Sequence, residues 1–140
     1  MNYDESCVFC KIGRKEIPAA IVYEDSEVMA FLDINPVSKG HTLVILKEHF
    51  RNFNEVPKNL LAKVMNVCQT ISQASIMELK ASGVNILTNI EKAAGQEVMH
   101  FHVHIIPRYE TNDGFNLEMK PLALEEKELT NIATMIKRAM

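Results

Sequence analysis

His100-Phe101-His102-Val103-His104-Ile105-Ile106 alternates imidazole and apolar side chains over seven residues. A period of two is the period of a strand, whose successive side chains point to opposite faces. His100, His102 and His104 therefore share one face, and Phe101, Val103 and Ile105 share the other, turned towards a core. A solvated face needs no imidazole, since Lys, Thr or Glu serves solubility as well. A metal trap is a second reading. Strand rise separates neighbouring members by ~7 Å and the outer pair by ~13 Å, so three ligands on one extended strand fit a single ion poorly, although two could share one. At least one histidine is left for acid, base or nucleophilic work near neutral pH.

Outward from this run, Met99 to Ile106 reads as a fifth strand closed by Pro107. Four strands precede it: Ala20 to Glu24, Val28 to Asp33, His41 to Lys47 and Val84 to Thr88. Between the third and fourth, Pro57 opens a long helix to about Lys80, with Leu60, Val64, Val67, Cys68 and Ile71 on one stripe. Arg108 to Pro121 reads as irregular. Leu129, Ile132, Ala133, Ile136 and Met140 return to helical spacing, a second amphipathic helix. Strands, a helix, more strands and a terminal helix make an α+β domain.

The 140 residues carry no repeat, linker or composition break, so one domain spanning 1–140 is expected, with a C-x-x-C segment at 1–18 and a terminal loop and helix at 108–140. The longest apolar runs, Ala19 to Tyr23 and Val28 to Leu32, are far too short to span a bilayer. The acidic start, Met1-Asn2-Tyr3-Asp4-Glu5, lacks the apolar region of a secretory signal, and a net charge of −3 offers no footprint for nucleic acid. The expectation is a cytoplasmic protein with neither a membrane nor a nucleic-acid partner. Three cysteines do not form an even disulfide framework. Cys68 reads as a small core residue. Cys7-Val8-Phe9-Cys10 reads as a metal half-site or a redox pair. A thioredoxin-type pair opens a helix after a strand in a βαβ pattern, which this sequence lacks.

The histidine run resembles the signature of the histidine triad (HIT) family of nucleotide-binding hydrolases and transferases. Phe9-x-x-Ile12 with Ile17-Pro18, Ala30 to Ile34, Gly40 to Ile45, and Asn89 through Gln96 to Pro107 stand in the family's order, and together cover most of the chain. The branch resembled is the Hint-like one, which cleaves nucleoside phosphoramidates and adenylates. The resemblance implies an antiparallel sheet of about five strands, continued across a homodimer through the long helix and a central strand. It implies a nucleophile at His102, a phosphate-binding His104, and a His41 that orients His102. Asp33 is implied to hold the ribose of a purine nucleotide, and Phe9, Ile12, Phe31 and Ile34 its base, with Asn89 and Gln96 among the nucleotide-binding residues. Zinc-bearing relatives pair the C-x-x-C with two distant histidines, which here are His49 and His100. A structural zinc held by Cys7, Cys10, His49 and His100 is thus expected. Alternatives are hydrolysis of dinucleoside polyphosphates and a nucleotide-binding partner protein with incidental activity.

One departure from the pattern stands out. Relatives of the Hint-like branch carry Gly-Gln followed by Ser or Thr before the triad, whereas this chain reads Gly95-Gln96-Glu97. An ionised carboxylate only accepts hydrogen bonds and is repelled by phosphate. Glu97 either turns to solvent or takes up a proton and donates it to the leaving group.

Overall fold

In the computed structural model, which describes residues 1–111 and 113–140, the chain runs α1 (Val8–Gly13), β1 (Ile21–Glu24), β2 (Val28–Leu32), β3 (Thr42–Leu46), α2 (Lys58–Glu78), β4 (Gly83–Leu87), β5 (His102–Arg108) and α3 (Glu126–Ala139). The strands form one antiparallel sheet in the order β1-β2-β3-β5-β4. Alternation gives this sheet two apolar faces. Val28 and Ala30 of β2, Val44 and Leu46 of β3, and Val103 and Ile105 of β5 pack with Phe101 against Leu60, Val64, Cys68 and Ile71 of α2. Met29, Phe31, Leu43 and Ile45 face the other way, where Phe9 and Ile12 of α1 cover them. The α+β class and the five-stranded antiparallel sheet agree with the sequence reading.

Helix α2 starts where expected, with Pro57 as its N-cap, its carbonyl accepting from the Leu60 and Leu61 amides. Strand β5 departs from expectation at both ends. It starts at His102, not Met99, because the preceding backbone leaves the ladder: the Phe101 amide donates to the Phe50 carbonyl. It also continues through Pro107 to Arg108. Pro107 pairs with Val84 of β4, while β3 pairs only as far as Ile105, so the missing amide hydrogen meets no β3 acceptor.

Helix α3 has the expected amphipathic spacing and a Glu125/Glu128 capping box, yet none of its residues is buried. Its Leu129, Ile132 and Ile136 stay exposed. No helix among the described residues is long and apolar enough to cross a membrane.

Candidate active site

The triad face is not solvated. Antiparallel pairing sets His102 beside Ile45 and His104 beside Leu43, and α1 lies over them. The Phe9 ring meets His102 edge-on, centroids 5.0 Å apart. His100 is fully buried and His102 nearly so, which disfavours the protonated imidazole and lowers both pKa values, that of His100 to about 4. His104 is likewise pushed down to about 4 by burial, with the neighbouring His102 and His41 adding to the effect.

Hydrogen-bond partners settle which nitrogen carries the proton on each ring. His102 Nδ1 lies 2.7 Å from the His100 carbonyl, which only accepts, so Nδ1–H donates and Nε2 keeps a free lone pair. The Val37 amide donates to His41 Nδ1 at 3.2 Å, which leaves the hydrogen on His41 Nε2. That Nε2 donates to His104 Nδ1 at 2.9 Å. His104 must then carry its own hydrogen on Nε2. One nucleophilic nitrogen and one donor therefore stand on neighbouring rings whose centroids are 5.0 Å apart. His41 bonds the His104 ring, which in turn packs against His102, while the His100 carbonyl bonds His102 directly.

The two rings open into a cavity of about 530 Å³, lined also by Phe9, Ile12, Phe31, Asp33, Ile34, His41, Asn89 and Glu97. Asp33 Oδ1 accepts from the Asn35 amide at 2.9 Å, while Oδ2 is 3.7 Å from His41 Nε2. Ile34 is 89% exposed, so it forms the lip of the cavity rather than a wall. Gln96 is placed differently from expectation and does not line the cavity. Its buried amide accepts from the Glu91 amide at 2.8 Å and donates to the Arg51 and Val98 carbonyls at 2.7 and 3.1 Å. These bonds hold the β4–β5 connection in place and use both of its N–H donors. Leu43 and Val98 also line the cavity and were not singled out from sequence. Strand alternation would have found Leu43, two residues before Ile45 on the same face.

A second cluster lies behind His102. The donor atoms of Cys7, Cys10, His49 and His100 all fall within 4.8 Å of one another. His100 Nδ1 is 3.3 Å from Cys7 Sγ, 3.5 Å from Cys10 Sγ and 3.2 Å from His49 Nδ1, and Cys10 Sγ is 3.4 Å from His49 Nδ1. Tetrahedral bonds of ~2.3 Å to sulfur and ~2.0 Å to nitrogen set edges of about 3.5 Å (S···N) and about 3.3 Å (N···N), so this donor set fits such an ion. His100 Nε2–H donates to the Leu46 carbonyl at 2.7 Å, which turns the Nδ1 lone pair inward, the outer hydrogen bond typical of a ligating histidine. Backbone amides of Cys10 and Asp4 approach the Cys7 and Cys10 sulfurs at 3.4 and 3.5 Å. Burial, with the neighbouring Cys7 adding to it, raises the Cys10 thiol to about 11, a penalty that a bound cation would reverse.

The fold and sequence have counterparts among known proteins. Residues 14–111 match the HIT domain, and the chain belongs to that family. It is 44% identical to Protein hit of Bacillus subtilis over all of this chain and 98% of that one. It is 37% identical to Adenylylsulfatase HINT3 of Arabidopsis thaliana over 94% of this chain and 68% of that protein. The crystal structure of a HIT family member from Bacillus subtilis superposes with a TM-score of 0.93 at 43% identity, covering 97% of this chain and 98% of the other. A histidine triad nucleotide-binding protein from Candida albicans gives 0.85 at 28% identity, covering 95% and 96%.

Proposed function

We propose that the protein hydrolyses the bond between the α-phosphorus of a purine nucleotide and its leaving group, with phosphoramidates and acyl-nucleotides as substrates. The observation that carries this reading is the pairing of a lone pair on His102 Nε2 with a hydrogen on His104 Nε2, both at the cavity. His102 Nε2 attacks phosphorus while the P–N bond of a phosphoramidate breaks, and the amine departs with a proton taken from water. A second water then attacks phosphorus, the P–Nε2 bond breaks, the nucleoside monophosphate leaves and the borrowed proton is returned. His104 donates to a phosphate oxygen as negative charge builds there. Burial favours the neutral form of His102, the form that can attack. Asp33, flanking the histidines from the end of β2, is placed to accept from ribose hydroxyls, and Phe9, Ile12 and Phe31 supply apolar surface for the base. One relative, from Arabidopsis thaliana, is named an adenylylsulfatase, which supports a nucleotide substrate.

The cysteine–histidine cluster is read as a structural zinc site. Cys7, Cys10, His49 and His100 would hold the ion, which would tie the N-terminal segment to the start of β5 and take no part in the chemistry. A homodimer is proposed through α2 and β4. β4 is an edge of the sheet, and Ile86 on it, with Met65 and Ile76 on α2, is exposed.

The deciding experiment is incubation with an adenosine 5′-phosphoramidate, followed by rapid quench and mass analysis. A nucleotidyl adduct on His102 that decays at the rate of turnover supports the reading. Turnover with no adduct at His102 removes the nucleophile, and absence of turnover removes the activity.

A further inference from the structure

The cavity beside the triad has an unusual charge inventory for a site that handles phosphate. Asp33 and Glu97 line it, and no lysine or arginine does. His41 and His104 each accept a hydrogen bond at Nδ1, so neither is doubly protonated and neither adds compensating charge. The two carboxylates come from different elements: Asp33 follows β2, whereas Glu97 belongs to the connection between β4 and β5. Both line the cavity with His102, so with a ribose at Asp33 and phosphorus at His102, the remaining carboxylate of the lining that a leaving group can meet is Glu97.

The connection that carries Glu97 is held in place, while the Glu97 side chain itself is exposed at the cavity. Gln96 clamps the connection through three backbone groups, and Asn89 Nδ2 donates to the Gly95 carbonyl at 3.4 Å. The other carboxylate of this connection, Glu91, is neutralised by Arg51, at 2.7 and 2.8 Å. Glu97 forms no ion pair among the described residues. An unpaired carboxylate at a cavity whose lining holds no lysine or arginine acts as a charge filter.

Resting on the hydrolase reading above, we propose that Glu97 determines leaving-group specificity, favouring amines that carry a positive charge beyond the scissile P–N bond and disfavouring polyphosphates. A cationic tail gains a partner that the protein leaves unpaired. A polyphosphate chain brings several negative charges to a site with no lysine or arginine to meet them.

Two adenosine 5′-phosphoramidates of nearly equal size separate charge from shape, the N-(2-aminoethyl) and the N-propyl derivatives. The quantity read is the ratio of their kcat/KM values in wild type, E97Q and E97K, with diadenosine triphosphate as a third substrate. Wild type is expected to prefer the aminoethyl compound. In E97Q the ratio should fall about tenfold, equivalent to ~1.4 kcal/mol. In E97K it should invert, and hydrolysis of diadenosine triphosphate should rise. Added salt should shrink the wild-type ratio. A wild-type ratio near one, or a ratio that stays within twofold in both variants, overturns the role of Glu97 and leaves the hydrolase reading standing. Failure of wild type to cleave either phosphoramidate overturns both.

Discussion

The Phe9 ring stands edge-on to the His102 imidazole, with centroids 5.0 Å apart and planes at 83°. Phe9 lies between Cys7 and Cys10 in sequence, and these converge with His49 and His100. Two residues after His100 comes His102, whose Nδ1 bonds the His100 carbonyl. The cluster therefore grips both partners of the Phe9–His102 contact, one through α1 and the other through the start of β5. An ion held in the cluster would act on the cavity by fixing where Phe9 lies.

Elemental analysis of protein purified without added metal should find one zinc per chain. Chelation, or Cys7→Ser, should raise KM about tenfold while changing kcat less, because Phe9 loosens and His102 Nε2 keeps its lone pair. A metal-free preparation whose Cys7 and Cys10 thiols titrate freely, with unchanged KM, would refute the site.

His102→Ala should reduce turnover to below about a hundredth of wild type while preserving nucleotide binding and the circular dichroism spectrum. General acid–base assistance by itself is worth ~10²–10⁴, so a milder loss would show that His102 is no nucleophile. Rescue of His102→Gly by free imidazole is the complementary measurement.

The pH–rate profile follows from the lowered histidine pKa values. Attack needs neutral His102, and the hydrogen-bonded pair needs His104 Nδ1 unprotonated so that it accepts from His41. With His104 pushed down to about 4 and His102 also lowered, the acid limb of kcat/KM should lie below the ordinary histidine value of ~6.5. Stability carries the same sign. A lowered folded-state pKa means that the unfolded chain binds more protons as pH falls from ~6.5 towards 4, so this contribution is present above ~6.5 and is lost on acidification. In His41→Ala, kcat should fall at least tenfold, with little change in affinity for nucleoside monophosphate. Unchanged kcat would break the link between His41 and His104.

Placing a lysine at Ile86, on the exposed edge strand β4, should convert the proposed dimer to a monomer in sedimentation equilibrium at micromolar concentration. An unaltered mass would put the interface elsewhere.

Local patterns carried much of this architecture. The period of two at His100–Ile106 assigned the imidazoles and the core residues to opposite faces, and the stripe from Leu60 to Ile71 defined the buried side of α2. These follow from backbone geometry within a few residues, which the sequence alone expresses. The C-x-x-C half-site was equally legible as a pair, whereas its distant histidines were named only through the family resemblance. Gln96 and Glu97 show the limit: adjacent polar residues in one loop, of which one turns inward to bind three backbone groups and the other faces the cavity. No local period separates them, because the carbonyl of Arg51 that attracts Gln96 lies 45 residues away. The same holds for His41 and His104, 63 residues apart, and for Cys7 and His100, 93 apart. Composition and periodicity determined which residues could form a strand, a helix or a polar face. Strand register and the packing of α1 over β5 decided which imidazole bonds which, since a hydrogen bond requires two atoms within about 3 Å and only the closed fold brings them there.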